Sequence, residues 1–262
     1  MDIEYIDTTL PSQGVWYGDR VPGGKIGLRE TTVREDLFLA SPLLTVTEKL
    51  NKIVSACARF PTPEPVDLLP TDRMAIMLFL RSITYGPKYE FSYSCNCRAR
   101  NNVQVDFASG QIAERTPETI VSENPDIGSL AEPFTTTLPK SKRVVAFRHL
   151  RVSDDEVVTK RIKTDKILEQ LRTANPQIDL ASVVRLGQQI VSVDGTTNIV
   201  GREKDDFILG LPSMDRKHIE RFLGKYETGI DMGVPHTCPN CGSENRVALP
   251  ISLDFFRGES GV

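Results

Sequence analysis

Two short cysteine pairs, Cys95-Asn-Cys97 and Cys238-Pro-Asn-Cys241, stand about 140 positions apart and constrain this chain more than any other feature. Structural zinc takes four soft ligands in a tetrahedron, and two such pairs supply them. A shared ion would pin two remote segments together and couple the folding of that base to the metal. Cys238-Pro-Asn-Cys241-Gly242 is the stronger half, because a Cys-x-x-Cys turn followed by glycine lets both thiolates face one metal. Cys95-x-Cys97 is tighter. Neighbouring strand residues point to opposite faces, so a turn or bulge at Asn96 is needed to bring its thiolates together. The alternatives are two unrelated reduced pairs, or a redox Cys-x-x-Cys, which here lacks a surrounding βαβ pattern. His236, two residues before Cys238, is either a further ligand or a solvated neighbour. Four thiolates close the coordination sphere and leave no place for an activated water. Zinc at Cys95, Cys97, Cys238 and Cys241 is therefore expected to be structural.

The rest of the sequence suits a folded chain around such a staple. At 262 residues, 39% hydrophobic and 26% charged, it has material for one large domain or two ordinary ones. A net charge of −3 with both signs interspersed gives no global attraction to nucleic acid or anionic lipid. The opening residues are acidic and polar, unlike a signal peptide. The longest apolar stretch, Met74 to Leu80, falls far short of the roughly 20 residues of a membrane span. A reducing cytoplasm is expected, where paired cysteines mean metal more often than disulfide.

Periodicity predicts an α+β chain: a zinc-stapled core of short β-hairpins with packed helices. Residues 1–25, rich in Gly, Pro and turn formers, read as an extended N-terminal arm. Lys25 to Arg29 reads as a strand, and Thr32-Val-Arg-Glu35 as a capping box opening a short helix. A helix over 46–58 places Leu50, Ile53, Val54 and Cys57 on one face, making Cys57 a core residue. A third helix over 72–84 precedes two alternating strands whose hairpin tip carries Cys95 and Cys97. These make a first α+β half over 26–108. Residues 109–133 read as a surface connection. The second half, 134–262, holds a strand at 144–148, a capping box at Ser153 to Glu156 and a charged helix to about Thr173. Helices at 179–191 and from Pro212 to Tyr226, the Cys238/Cys241 knuckle, a strand from Arg246 and a C-terminal tail complete it.

The order repeats. A strand ending Leu28-Arg29, a capped helix, a helix opened by Leu69-Pro-Thr-Asp-Arg73 and a cysteine pair recur later. The counterparts are Phe147-Arg148, a capped helix, Leu211-Pro-Ser-Met-Asp-Arg216 and a second pair. Pro70 to Cys95 spans 25 residues and Pro212 to Cys238 spans 26. An internal duplication of a strand–helix–helix–Cys-pair unit is one reading of this pattern, each copy giving two ligands to a shared zinc.

Catalytic groupings are sparse. There is no phosphate loop, no Gly-x-Ser-x-Gly elbow and no His-Glu-x-x-His. His218-Ile-Glu220 ahead of a Cys-x-x-Cys superficially matches a zinc deaminase. However, Thr237 precedes Cys238 where that signature has proline, and the match leaves Cys95 and Cys97 without a role. The carboxylates of Asp154-Asp-Glu156 suit a helix start, and Lys140-Ser-Lys-Arg143 suits a solvated hairpin tip. A zinc-ribbon adaptor binding nucleic acid or a host protein, and a zinc hydrolase or deaminase, stand as alternatives to a structural protein.

One further set of residues carries a resemblance. Leu10-Pro-Ser-x-Gly14, Tyr17, Ile26-x-Leu28-Arg29-x-x-Thr32-x-x-Glu35 and Leu39-Ala-Ser41 resemble the opening of the baseplate protein family of T-even-type bacteriophages. Asp67-Leu-Leu69, Asp72-Arg73, Leu80-Arg81, Tyr85-Gly86, Phe147-Arg148, the cysteine pairs and Phe255-Phe256 continue it. The first pair departs from the usual Cys-x-x-Cys. The resemblance implies a non-enzymatic structural or assembly role at the hub of a contractile tail baseplate. Its implied partners are other tail proteins, met through the N-terminal arm and C-terminal tail, with several copies per particle and no nucleic acid. Its implied location is the virion, and the host cytoplasm during assembly.

Overall fold

The computed structural model describes residues 4–110, 112–174, 177, 179–252 and 255–257. The chain opens with strands β1 (Ile6–Thr9) and β2 (Lys25–Leu28), helices α1 (Val33–Ala40) and α2 (Val46–Cys57), and strand β3 (Ala58–Arg59). Helix α3 (Pro70–Tyr85) leads to the hairpin β4 (Lys88–Ser94) and β5 (Arg100–Asp106). Next come β6 (Glu114–Arg115), α4 (Pro117–Glu123), β7 (Phe134–Thr137), β8 (Val144–Phe147), α5 (Val152–Thr164) and α6 (Lys166–Ala174). After α7 (Leu180–Gln189), β9 (Ile190–Val193), α8 (Gly201–Leu209) and α9 (Ser213–Lys225), the chain ends with β10 (Gly229–Ile230), β11 (Gly233–Thr237) and β12 (Glu244–Ala248). Helices and small antiparallel sheets are thus mixed, as the α+β reading requires.

Two compact units share these elements. Unit 1 comprises residues 1–64, 71–116 and 228–262, and unit 2 residues 65–70 and 117–227. The segment from Thr228 onward therefore belongs with the first cysteine hairpin, not with the second half drawn from sequence.

Unit 1 begins with an antiparallel sheet of order β1-β2-β3. Ile26 and Leu28 turn inward from β2. The capping box expected at Thr32 forms, and a second one, not expected, opens α2 at Thr45. The Thr32 and Thr45 amides donate to Glu35 and Glu48 at 2.8 and 2.7 Å. Leu50, Ile53, Val54 and Cys57 are buried along α2, and burial pushes the Cys57 thiol up to about 11.

The N-terminal arm is a correction. Residues 6–9 pair with β2, and Leu10, Ser12, Trp16, Tyr17 and Val21 are buried. The fold of this segment depends on side chains with no helical or strand period, which is why it reads as irregular. Gly14 has φ +77°, and a Cβ there would meet the Val21 carbonyl oxygen at 1.9 Å, so only glycine fits. The carboxylate of Asp72, in the first turn of α3, anchors the loop: it accepts the Ser12 amide at 3.1 Å and the Tyr17 hydroxyl at 2.5 Å. The tail after residue 257 lies outside the described residues.

Unit 2 holds the sheet β7-β8-β9, with Leu138, Val145, Phe147, Val183, Ile190, Ile208 and Ile219 in its core. A second cluster joins Val158, Leu168, Leu180 and Val184. The connection expected at 109–133 is partly ordered, since β6 pairs with β10 in unit 1 and α4 buries Ile120 in unit 2. The charged helix breaks at Asp165, which is extended, giving α5 and α6. Its start also differs: the Arg151 amide donates to Asp154 at 2.7 Å. Ser153 instead donates its hydroxyl to Asp67. Helix α8, too polar to show a clear stripe, was not expected.

The same local construction stands in both units. Arg29 follows β2 and forks onto Glu35 at 2.9 and 3.3 Å while donating to the Glu30 carbonyl. Arg148 follows β8 and forks onto Asp154, both contacts 2.8 Å, while donating to the His149 carbonyl. Leu10 donates its amide to Gly24, and Leu138 to Arg143. The Arg29 amide reaches the Cys57 carbonyl at the end of α2, and that of Arg148 reaches Gln189 at the end of α7. Asp215, near the start of α9, accepts the Lys140 and Ser141 amides after β7, as Asp72 holds the loop after β1.

Candidate metal centre

Both cysteine pairs sit at hairpin tips within unit 1. Strands β4 and β5 pair from Lys88↔Asp106 to Ser94↔Arg100, with Tyr89, Phe91, Val103 and Val105 buried in alternation. At the tip the Cys95 amide donates to Ala99 at 2.9 Å and the Arg98 amide to Cys95 at 2.8 Å. Arg98 carries φ +69°. This is the turn at Asn96 that the tight Cys-x-Cys spacing demanded: Asn96 and Cys97 are its two central residues, and Arg98 closes it. Strands β11 and β12 pair from Gly233↔Ala248 to Thr237↔Glu244. There the Cys238 amide donates to Ser243 at 2.9 Å and Gly242 to Cys238 at 2.8 Å, with Gly242 at φ +71°. Each tip thus folds back on its first cysteine through one left-handed residue, glycine in one case and arginine in the other.

These turns bring all four sulfurs within 4.8 Å of one another. Cys95 Sγ lies 3.8 Å from Cys241 Sγ, and Cys97 Sγ lies 3.8 Å from Cys238 Sγ. No disulfide joins them. Zinc–sulfur bonds of about 2.3 Å give a tetrahedron with edges of roughly 3.8 Å, so the donor set fits such an ion in both number and spacing. Cys95 and Cys238 are buried, Cys97 and Cys241 exposed.

Polar groups the sequence did not flag surround the sulfurs. The Ser243 hydroxyl stands 3.1 Å from Cys241 Sγ and 3.5 Å from Cys95 Sγ. Asn240 donates to Cys97 at 3.5 Å, and Cys238 lies 3.6 Å from Asn101 Oδ1. Donors such as Ser243 and Asn240 stabilise thiolates, whereas the Asn101 oxygen accepts from the Cys238 thiol. The Cys97 amide, then the Ser243 hydroxyl, hold Cys95 down at about 6, and Ser243 also lowers Cys241. At Cys97 the Ala99 and Asn240 donors pull downward, but burial and the nearby Cys241 and Cys95 sulfurs outweigh them and push it up. Four sulfurs this close resist carrying four charges without a cation among them. The only available sequence cue to Ser243 and Asn240 was their place inside or beside the knuckle. Asn101 had none.

His236 is not among the sulfurs. Its Nδ1 lies 3.0 Å from the Tyr93 hydroxyl, and the two rings meet edge to face at 5.5 Å. His218 and Glu220 belong to unit 2. There His218 Nε2 lies 2.9 Å from the Thr136 hydroxyl, and Glu220 accepts from Arg216 at 2.9 Å. Among the described residues, no helix is long and apolar enough to cross a membrane.

A family model described as T4 bacteriophage base plate protein matches residues 4–257. No curated protein and no solved structure matches the chain. The match takes in the Leu10 to Tyr17 loop closed on Asp72, both arginine forks and both cysteine hairpins. The resemblance read from those residues therefore holds, and this chain belongs to the T4 bacteriophage base plate protein family.

Proposed function

We propose that this base plate protein is a non-enzymatic component of the hub region of a contractile tail, acting in the particle or in its assembly. In this reading its first unit is folded around one structural zinc ion bound by Cys95, Cys97, Cys238 and Cys241. The observation that carries the metal reading is the group of four sulfurs within 4.8 Å of one another. Bound zinc would supply a charge that keeps all four thiolates ionised and ties the tip of β4–β5 to that of β11–β12. The chain's own residues would do the rest. Ser243, Asn240 and the tip amides orient the sulfurs, while Tyr89 and Phe91 anchor the hairpin under them.

A reaction centre has less support. Four protein thiolates fill a tetrahedral ion, and the histidines nearest in sequence are engaged elsewhere. A nucleic-acid adaptor is likewise disfavoured. Arg246 is ion-paired with Asp231, which leaves Arg98 and Arg100 as the exposed basic groups beside the cysteines, few for a nucleic-acid footprint. Partners would be other tail proteins, and the paired local construction of the two units supports an origin by internal duplication.

Metal analysis of the purified chain tests the site, with one zinc per chain expected. Cobalt substitution should give the intense charge-transfer bands of four-sulfur ligation, and bands of a water-bearing site would overturn it. The hub assignment needs imaging and mass analysis of purified tails, with the chain expected at the central hub. Finding it only at the tail periphery would sink that part while leaving the zinc site standing.

A further inference from the structure

The third strand is complete in unit 2 and cut short in unit 1. Strand β9 covers β8 through Val145↔Val193. Beyond that pair the Asp194 amide donates to the Val144 carbonyl at 2.7 Å. The Asp194 carboxylate accepts the Val144 amide at 2.8 Å and is ion-paired with Arg143. In unit 1, β3 covers only Gly27↔Arg59 and Leu28↔Ala58 of β2. The matched bonds of Leu10 with Gly24 and Leu138 with Arg143 make Lys25 the counterpart of Val144. Continuing the β3 register would set Pro61 against Lys25, and proline has no N–H to give its carbonyl. The chain turns away at Phe60-Pro61, and a groove of about 370 Å³ opens there, lined by Asp7, Thr9, Lys25, Gly27, Phe60 and Pro61.

Arg59 also lines this groove, its guanidinium over the Tyr5 ring at 4.4 Å. Among the described residues neither Lys25 nor Arg59 has a carboxylate partner, and Asp7 is the one acidic group beside them. The lining is thus basic overall where unit 2 places the acidic end of β9.

We propose that the groove receives an extended, carboxylate-bearing segment of another tail protein. That segment lies antiparallel to β2 and brings to Lys25 the backbone N–H that Asp194 brings to Val144. Its carboxylate meets the Lys25 ammonium and the Arg59 guanidinium. Strand addition at an open edge combines main-chain bonds for affinity with side-chain pockets for selectivity. None of the four cysteines lines the groove, so the proposal stands apart from the zinc reading.

The test uses the intact, metal-loaded chain and a peptide copying its own Ile190 to Thr197, capped at both ends. Saturable binding is expected, with new amide-exchange protection at the peptide's Asp194 and altered amide signals at Lys25 to Gly27, whose own N–H groups already have partners within unit 1. Changing the peptide by Asp194→Asn, or the chain by Lys25→Glu with Arg59→Glu, should weaken binding about tenfold or more. Both residues are exposed and the Arg59 contact with Tyr5 is a surface one, so the double variant should shift the melting temperature by no more than a few degrees. Absence of saturation, undiminished binding by the double variant, or altered amide signals confined to Val144 to Phe147 would each overturn the proposal. So would a self-associating chain that Lys25→Glu renders monomeric, because the groove's occupant would then be a second copy.

Discussion

In unit 1, Arg29 leaves the central strand and clamps Glu35, and the segment between β1 and β2 is a long buried loop held by Asp72. In unit 2, Arg148 clamps Asp154, while the segment between β7 and β8 is a short tip held by Asp215. The shared parts are the polar ones. An arginine fork ties a strand end to a helix start in both, and a helix-borne aspartate collects amides from the chain after the first strand. The differing parts are the coverings: the buried Leu10 to Val21 loop and two cysteine hairpins in unit 1, the extra helices α6 and α8 in unit 2. The polar joints fix register and chain direction, and each unit then buries its sheet with whatever material follows.

Removing the proposed zinc should divide the units most sharply. Structural zinc contributes apparent binding energies of about 10–16 kcal/mol in small zinc modules, so chelation or Cys238→Ser is expected to unfold the hairpins. Hydrogen exchange should show lost protection over residues 88–106 and 233–248, with Val145 to Phe147 in β8 unchanged. Equal loss in both units would mean that the cysteines do not act on unit 1 alone.

Next come the forks. Breaking a buried ion pair from one side leaves an uncompensated charge and costs about 3–5 kcal/mol. Arg29→Ala is expected to cost more than Arg148→Ala, because the Glu35 side chain is 1% exposed and that of Asp154 is 8%. Glu35→Gln added to Arg29→Ala should recover part of the loss, since the orphaned charge goes with it. Denaturant melts of the three variants check this, and a reversed order would undo the claimed equivalence. The aspartates should follow the same logic on a smaller scale. Asp72→Ala strands buried Ser12 and Tyr17 donors, at about 1–3 kcal/mol each. Asp215→Ala frees the amides of an exposed tip that water can reach, and should cost about 1 kcal/mol.

Much of this was legible in the sequence where a local rule decided the outcome. The Thr32 cap, the amphipathic α2 and the β4–β5 alternation follow from spacing alone, and so did the pairing of Cys95 and Cys97 with Cys238 and Cys241. Legibility failed where distant residues decide. Nothing local says that Leu10 to Val21 is buried, because Asp72 holds it there from a later helix. Likewise, the return of β11 and β12 to unit 1 is set by which hairpin their cysteines meet. The Arg29 and Arg148 forks fall between these cases. Both arginines were visible as strand ends and their acids as cap residues, but the six-residue reach joining them follows no helix or strand period.

Acid should expose the smallest difference. Burial raises the Glu35 pKa, but the Arg29 hydrogen bonds and the Thr32 donors outweigh it and hold the carboxyl down at about 2. A depressed folded pKa means that the unfolded chain binds more protons. The Glu35 contribution is therefore fully present above about pH 4.5 and lost as pH falls toward about 2. Asp154 is depressed in the same direction, with burial again opposed by its arginine and the Arg151 amide, so unit 2 should slope the same way. The chain has one tryptophan, and Trp16 is buried in unit 1, so its fluorescence reports unit 1 melting. Thiolate protonation also destabilises a zinc site in acid, which makes the informative quantity the difference between the wild-type chain and Glu35→Gln. That difference should shrink steadily below pH 4.5. Parallel curves would show that the Arg29 fork sets geometry without contributing pH-dependent stability.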